Sequence, residues 1–312
     1  MLVGNTRIEV RMKYSPKQLT ARSLARLKSV GSRLDRRARW TLIPFALLVL
    51  ASVPFWSAAV RLVSPGTSAS DSLHVPILVY HSIAPPHPGE SPTQRQLDVD
   101  TSAFRQQMNY LVANRFNVVP LSTLMDALGG QGPLPPRAVV ITFDDGWLSQ
   151  YNNALPVLEQ LHLTATFFIV SKQVGMGPLY MDVDQVKSVL RAGMSLQSHS
   201  RHHPDLRKLT DAELRDEILG SREDLQKMFG VDADVFAYPY GAWNPRVVAA
   251  VQAAGYRGAR AFPGGSWNDT SRRYALRSVL VTDDMNAFAR ALGATAIAMR
   301  DSTLRVATAG RR

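Results

Sequence analysis

The chain has 312 residues, 46% of them hydrophobic, and no cysteine, so disulfides, thiolate metal sites and cysteine nucleophiles are excluded. The net charge of +11 is unevenly spread. Residues 1–40 hold eleven Lys/Arg against Glu9 and Asp35, or +9, and the remainder is close to balance, which argues against a nucleic-acid surface on the folded part.

In chain order, residues 1–39 read as a basic cytoplasmic tail. Trp40 to Val60 follows, twenty-one residues without a charge. That length crosses a bilayer core as a helix, and the basic flank predicts an N-terminus held inside the cell. The expected topology is a single pass through the bacterial inner membrane with the rest of the chain outside the cytoplasm. The alternatives are a buried core helix, or cleavage near Ser57-Ala58-Ala59. Residues 61–72 read as a linker, and 73–312 as the catalytic domain.

Within that domain apolar runs alternate with helical spacing. HVPILVYHSI (74–83), FNVVP, AVVITF (138–143), TATFFIV (164–170), MSLQSH (194–199), DVFAYP (234–239), YRGARAF (256–262) and SVLVT (278–282) predict strands. Helices are predicted over 100–114, 150–161, 182–192, 211–229 and 245–254. Seven or eight strand–helix units in about 240 residues predict an α/β fold, a distorted (β/α)7-8 barrel with its active site at the C-terminal strand ends.

Four clusters fall at such ends. Asp144 and Asp145 close AVVITF. Adjacent carboxylates repel unless a cation or proton sits beside them, so one Asp is expected on a metal and the other as a base. A solvated acidic turn is the plainer alternative. His199 and His203 follow MSLQS and are four apart, so on one helical turn they share a face. The pair His199/His202 is the fallback. Asp145, His199 and His203 together make a His₂-carboxylate set that leaves metal positions open, the hydrolytic arrangement. Pro239, Tyr240, Gly241 and Trp243 form either an aromatic loop wall for sugar rings or an aromatic core edge. His81 ends the first strand, where a structural role is the commoner one.

TFDDG, the following SQYNNALPVLEQLHLTATFFIV, SHSRHHPDL and FAYPYG together resemble the polysaccharide deacetylase family, carbohydrate esterase family four. The likeness covers roughly residues 74–282. It implies a barrel that removes acetyl groups from N-acetylglucosamine polymers, or sometimes O-acetyl groups, with Asp144 as base. It also implies one divalent ion, Zn²⁺ first with Co²⁺, Ni²⁺ or Fe²⁺ as alternatives, on Asp145, His199 and His203. The backbone N–H of Tyr240 would hold the oxyanion, supported by Pro239 and Gly241.

Two departures stand out. Ala237 occupies a position where many members carry the Arg that steadies the base, and Arg277 is the expected substitute. No histidine follows His203 to act as general acid. VPILVYHSI resembles the poly-N-acetylglucosamine deacetylase subgroup, in which the early histidine, here His81, supplies the acid. The other free histidines sit in less suitable places, and the donor is expected across the scissile bond from Asp144. The competing reading is a catalytically impaired pseudo-deacetylase that grips glycan through Tyr240, Trp243 and Trp267. It would serve an exopolysaccharide export or synthesis complex.

Overall fold

The computed structural model describes residues 72–85, 92–262 and 264–293. The predicted tail, membrane helix and most of the linker lie outside those residues. Among the described residues no helix is long and apolar enough to cross a membrane.

Eight strands build the main sheet: β1 (Ile77–Tyr80), β2 (Asn117–Val118), β3 (Ala138–Phe143), β4 (Thr166–Ile169), β5 (Ser195–Ser198), β6 (Val235–Ala237), β7 (Gly258–Arg260) and β8 (Val279–Leu280). They run parallel in the order β7-β6-β5-β4-β3-β1-β8, with β2 beside the start of β3. The segment leading into β8 also touches β7. Ala261 N–H donates to Leu276 O and Leu276 N–H to Ala259 O, both at 2.9 Å. These bonds bring the two ends of the order together in a curled, barrel-like sheet.

Six helices lie in the crossovers, α1 (Thr101–Ala113), α2 (Leu121–Leu128), α3 (Leu155–Gln160), α4 (Val183–Arg191), α5 (Asp211–Phe229) and α6 (Pro245–Ala253), and α7 (Met285–Ala291) follows β8. Their ends follow local chemistry. Asp182 with Gln185, and Thr210 with Glu213, form reciprocal capping boxes at the starts of α4 and α5. Asn244 caps α6 ahead of Pro245, and α5 stops at Gly230, which is left-handed (φ 71°).

Side chains alternate across each strand. Leu78, Tyr80, Val139, Ile141, Phe143, Phe167, Ile169, Leu196 and Phe236 share one cluster with residues of α1 and α3–α7. Ile77, Ala138, Val140, Phe168, Val235 and Ala237 face the other way, where Leu121, Leu124, Met125 and Leu128 of α2 pack on them. The sequence pattern did not anticipate α2, which plugs the barrel interior from below. The fit is close: a Cβ on Gly258 would lie 2.2 Å from Met125 Cε. Also unanticipated is a small antiparallel pair, Leu73–His74 with Trp267–Asn268, just before β1.

Candidate active site

The alternation that puts Val140 inside the ring also points Asp144, two pairs further on, inward at the C-terminal end of β3. The same parity turns in His81 after β1, His199 after β5, and Arg260 at the end of β7. These groups therefore meet at one mouth.

Asp144 is 4% exposed, and its N–H donates to Tyr80 O at 2.9 Å. Its Oδ2 accepts a hydrogen bond from the Arg260 guanidinium, and the imidazole Nε2 atoms of His81 and His199 each lie 3.8 Å from it. Oδ1 is buried without a partner among the described residues. Burial pushes the Asp144 carboxyl up, but Arg260 and the two imidazoles together outweigh it and hold the group below the ordinary range. Asp144 is thus an anion with one open oxygen.

Strand parity alone would send Asp145 outward. Instead it takes a left-handed conformation (φ 73°), followed by Gly146 (φ 83°), and the chain turns back. Trp147 Nε1–H donates to Asp145 Oδ2 at 2.9 Å, while Oδ1 lies 3.6 Å from His199 Nε2 and 3.5 Å from His203 Nε2. His199 Nδ1 is 2.9 Å from the Ala237 carbonyl, which can only accept, so Nδ1 carries the hydrogen and Nε2 keeps its lone pair. Burial, outweighing the nearby carboxylates, lowers the His199 pKa to about 4, so the ring is neutral at pH 7. Ligand atoms of Asp145, His199 and His203 all lie within 4.8 Å of one another. A neutral imidazole with a fixed tautomer, a second imidazole and a carboxylate oxygen are the donors a divalent ion of the zinc type takes.

His199 and His203 do not share the face of a helical turn. Residues 199–203 form a loop, not a helical turn, and Ser200 (φ 66°) and His203 (φ 64°) are both left-handed. His203 N–H donates to Ser200 Oγ at 3.0 Å, and this tight turn brings the rings to 4.7 Å between centroids. His202 faces away, its Nδ1 2.7 Å from Glu217 Oε1.

The substitute for the missing arginine is Arg260, not Arg277. Arg260 stands opposite Ala237 in the β6–β7 register, so the guanidinium reaches Asp144 from one strand further round. It is 2% exposed and lies over the Phe168 ring at 5.1 Å. Arg277 packs its side chain toward Gly264, and its backbone pairs with the Asn268 side chain. The signal was present in YRGARAF: an arginine in phase with Gly258, whose alternate neighbours Ala259 and Ala261 pack outward.

Tyr240 (φ 58°) is 68% exposed with its ring 4.6 Å from that of His203, and Trp243 follows in the same loop. Gly241 is needed there, because a Cβ would sit 2.2 Å from Phe262 Cβ. Pro239 is buried beneath. Trp267 is a different case. It pairs with His74 ahead of β1, seven residues and about 23 Å of extended chain from His81. The expected glycan contact is therefore at the wrong end of the barrel.

The family described as polysaccharide deacetylase matches residues 131–259. The Bacillus subtilis protein YxkH, named for a polysaccharide deacetylase, is 29% identical over 69% of this chain and 74% of its own length. The poly-beta-1,6-N-acetyl-D-glucosamine N-deacetylase of Escherichia coli strain K12 is also 29% identical, over 54% of this chain but only 31% of its own length. Among solved structures, the Streptococcus pyogenes deacetylase PplD in complex with acetate superposes with a TM-score of 0.64 at 24% identity, covering 69% of this chain and 95% of that one. With TFDDG at the end of β3 and SHSRHH at the end of β5 facing one mouth, residues 131–259 match the polysaccharide deacetylase family.

Proposed function

We propose that the protein is a metal-dependent hydrolase that removes N-acetyl groups from N-acetylglucosamine units of an envelope or extracellular polysaccharide, of the poly-N-acetylglucosamine kind. The observation that carries this reading is the convergence of Asp145, His199 and His203 beside a separate buried carboxylate with one open oxygen, Asp144 Oδ1. Asp145 Oδ1, His199 Nε2 and His203 Nε2 would hold a divalent ion, zinc first among the candidates. When bound, the ion supplies Lewis acidity and positive charge at the mouth.

The chain's own groups account for the rest. Asp144 Oδ1 takes the proton of the attacking water, and Arg260 keeps that carboxyl ionised between turnovers. His81 Nε2 protonates the departing amine nitrogen, without which the C–N bond would re-form. The donor is not across a wide cleft from the base: 3.8 Å separates the two groups, so the acetamide must present its carbonyl carbon and its nitrogen to neighbouring side chains. The Tyr240 N–H supports the oxyanion, and Tyr240 and Trp243 offer aromatic faces to the sugar.

A glycan-binding pseudo-deacetylase would need neither the buried Asp144 nor a guanidinium to keep it charged. The reading extends to the uncharged stretch 40–60 as an inner-membrane anchor, with the catalytic part outside the cytoplasm beside an exopolysaccharide assembly. Acetate release from a panel of acetylated glycans, with and without added Zn²⁺, tests the enzyme. Release that depends on the ion and is greatest on poly-N-acetylglucosamine supports it. Glycan binding with no release under any metal overturns it.

A further inference from the structure

The chain after Trp147 makes one five-residue π turn, Gln150–Ala154, before α3, closed by Leu155 N–H donating to Gln150 O. Such turns are uncommon and cluster at functional sites. Its Gln150 and Asn153 side chains, with Ser149 just ahead of it, bond to the segment that carries His81, and Gln150 also reaches Asp144. Ser149 Oγ accepts from Ile83 N–H at 3.2 Å and lies 3.2 Å from Ser82 Oγ. Asn153 Nδ2–H donates to Ile83 O at 2.7 Å. Gln150, fully buried, places its Nε2 2.9 Å from the carbonyl of His81 and 2.5 Å from the carbonyl of Asp144.

A primary amide has two N–H bonds, and here two carbonyls receive them. The amide cannot be turned over, because its oxygen would then face two acceptors. Gln150 therefore bridges the backbones of two residues 63 positions apart, just past the ends of β1 and β3, with a single planar group. Resting on the deacetylase reading, we infer that Gln150 is a positioning residue that fixes the distance and angle between the base Asp144 and the acid His81. A merely structural glutamine would satisfy carbonyls wherever the core left them. Here the two it satisfies belong to the two groups that must exchange protons with one substrate.

The test uses the full-length chain with Gln150→Met, which keeps the volume and removes both donors. kcat on acetylated glycan is expected to fall about 10²-fold, the usual cost of a misplacement near 1 Å, with KM and Zn²⁺ affinity unchanged. The ¹⁵N resonances of the His81 imidazole should shift while those of His202 stay in place. Wild-type kcat in a folded Q150M that binds Zn²⁺ overturns the inference, as does a loss of activity that tracks loss of Zn²⁺. Where Q150M does not fold, Gln150→Leu also removes both donors, and an unchanged kcat in a folded, Zn²⁺-binding Q150L overturns it. If the wild type releases no acetate, the deacetylase reading fails while the His81 resonances in Q150M still decide the positioning role: a shift supports it and their constancy overturns it.

Discussion

At the lower end of the barrel, α2 drives Leu121, Leu124, Met125 and Leu128 against Ile77, Val140 and Val235 in an apolar cluster. At the upper end the same strands finish in Asp144, His199 and Arg260, each under 5% exposed and each charged or able to be. The two ends are built from one alternation of side chains, yet they are stabilised in opposite ways. The lower end removes apolar surface from water, worth roughly 25 cal/mol per Å². The upper end holds ionisable groups out of water at a cost that only their mutual pairing offsets. The contrast teaches that the scaffold is secured from below, which leaves the upper loops free to be shaped by chemistry.

The largest effect that could break this contrast is on activity. His199→Ala should lose both bound zinc and acetate release, down to the background rate, while circular dichroism shows an intact fold. Unfolding instead would mean that the upper end is structural too. His81→Ala should lower kcat by ~10²–10⁴, the usual contribution of acid–base catalysis, with zinc content unchanged by elemental analysis. Arg260→Met leaves Asp144 buried without its cation and should destabilise the protein by about 3–5 kcal/mol in urea unfolding. Leu124→Ala should cost about 2–5 kcal/mol by the same measurement, yet leave kcat at wild-type level where the protein is folded. A fall in kcat there would show that the two ends are coupled. The smallest effect is at Trp267. Trp267→Ala should leave KM for glycan unaltered, whereas Trp243→Ala should raise it, measured in the same acetate assay.

How much of this was legible in the sequence follows the same division. The parallel strands were, because AVVITF, TATFFIV and DVFAYP are long apolar runs between helical spacings. So was the grouping of Asp144, Asp145, His199 and His203, whose motifs are contiguous. α2 was missed because its apolar face turns into the ring instead of onto an outer layer, and its eight residues carry no side-chain cap. Arg260 was missed because its partner is 116 positions away and the register that sets it beside Ala237 is a tertiary fact. Trp267 was misjudged on chemistry alone: an aromatic suited to sugar says nothing about which end of the barrel holds it. The turn at His199–His203 gave the right pair for the wrong geometry, because left-handed Ser200 and His203 leave no mark in residue type.

β1 lies between β3 and β8, so the first strand of the barrel has its second neighbour about two hundred positions later in the chain. At synthesis rates of roughly 5–20 residues per second, about 10–40 s pass between the appearance of Ile77 and that of Leu280. Throughout that interval β1 has an unpaired edge, the kind of strand that recruits foreign chains. A nascent molecule is therefore most exposed to aggregation along Ile77–Tyr80, and a peptide copying Val279–Leu280 and its flanks would compete for that edge only before the last strand arrives.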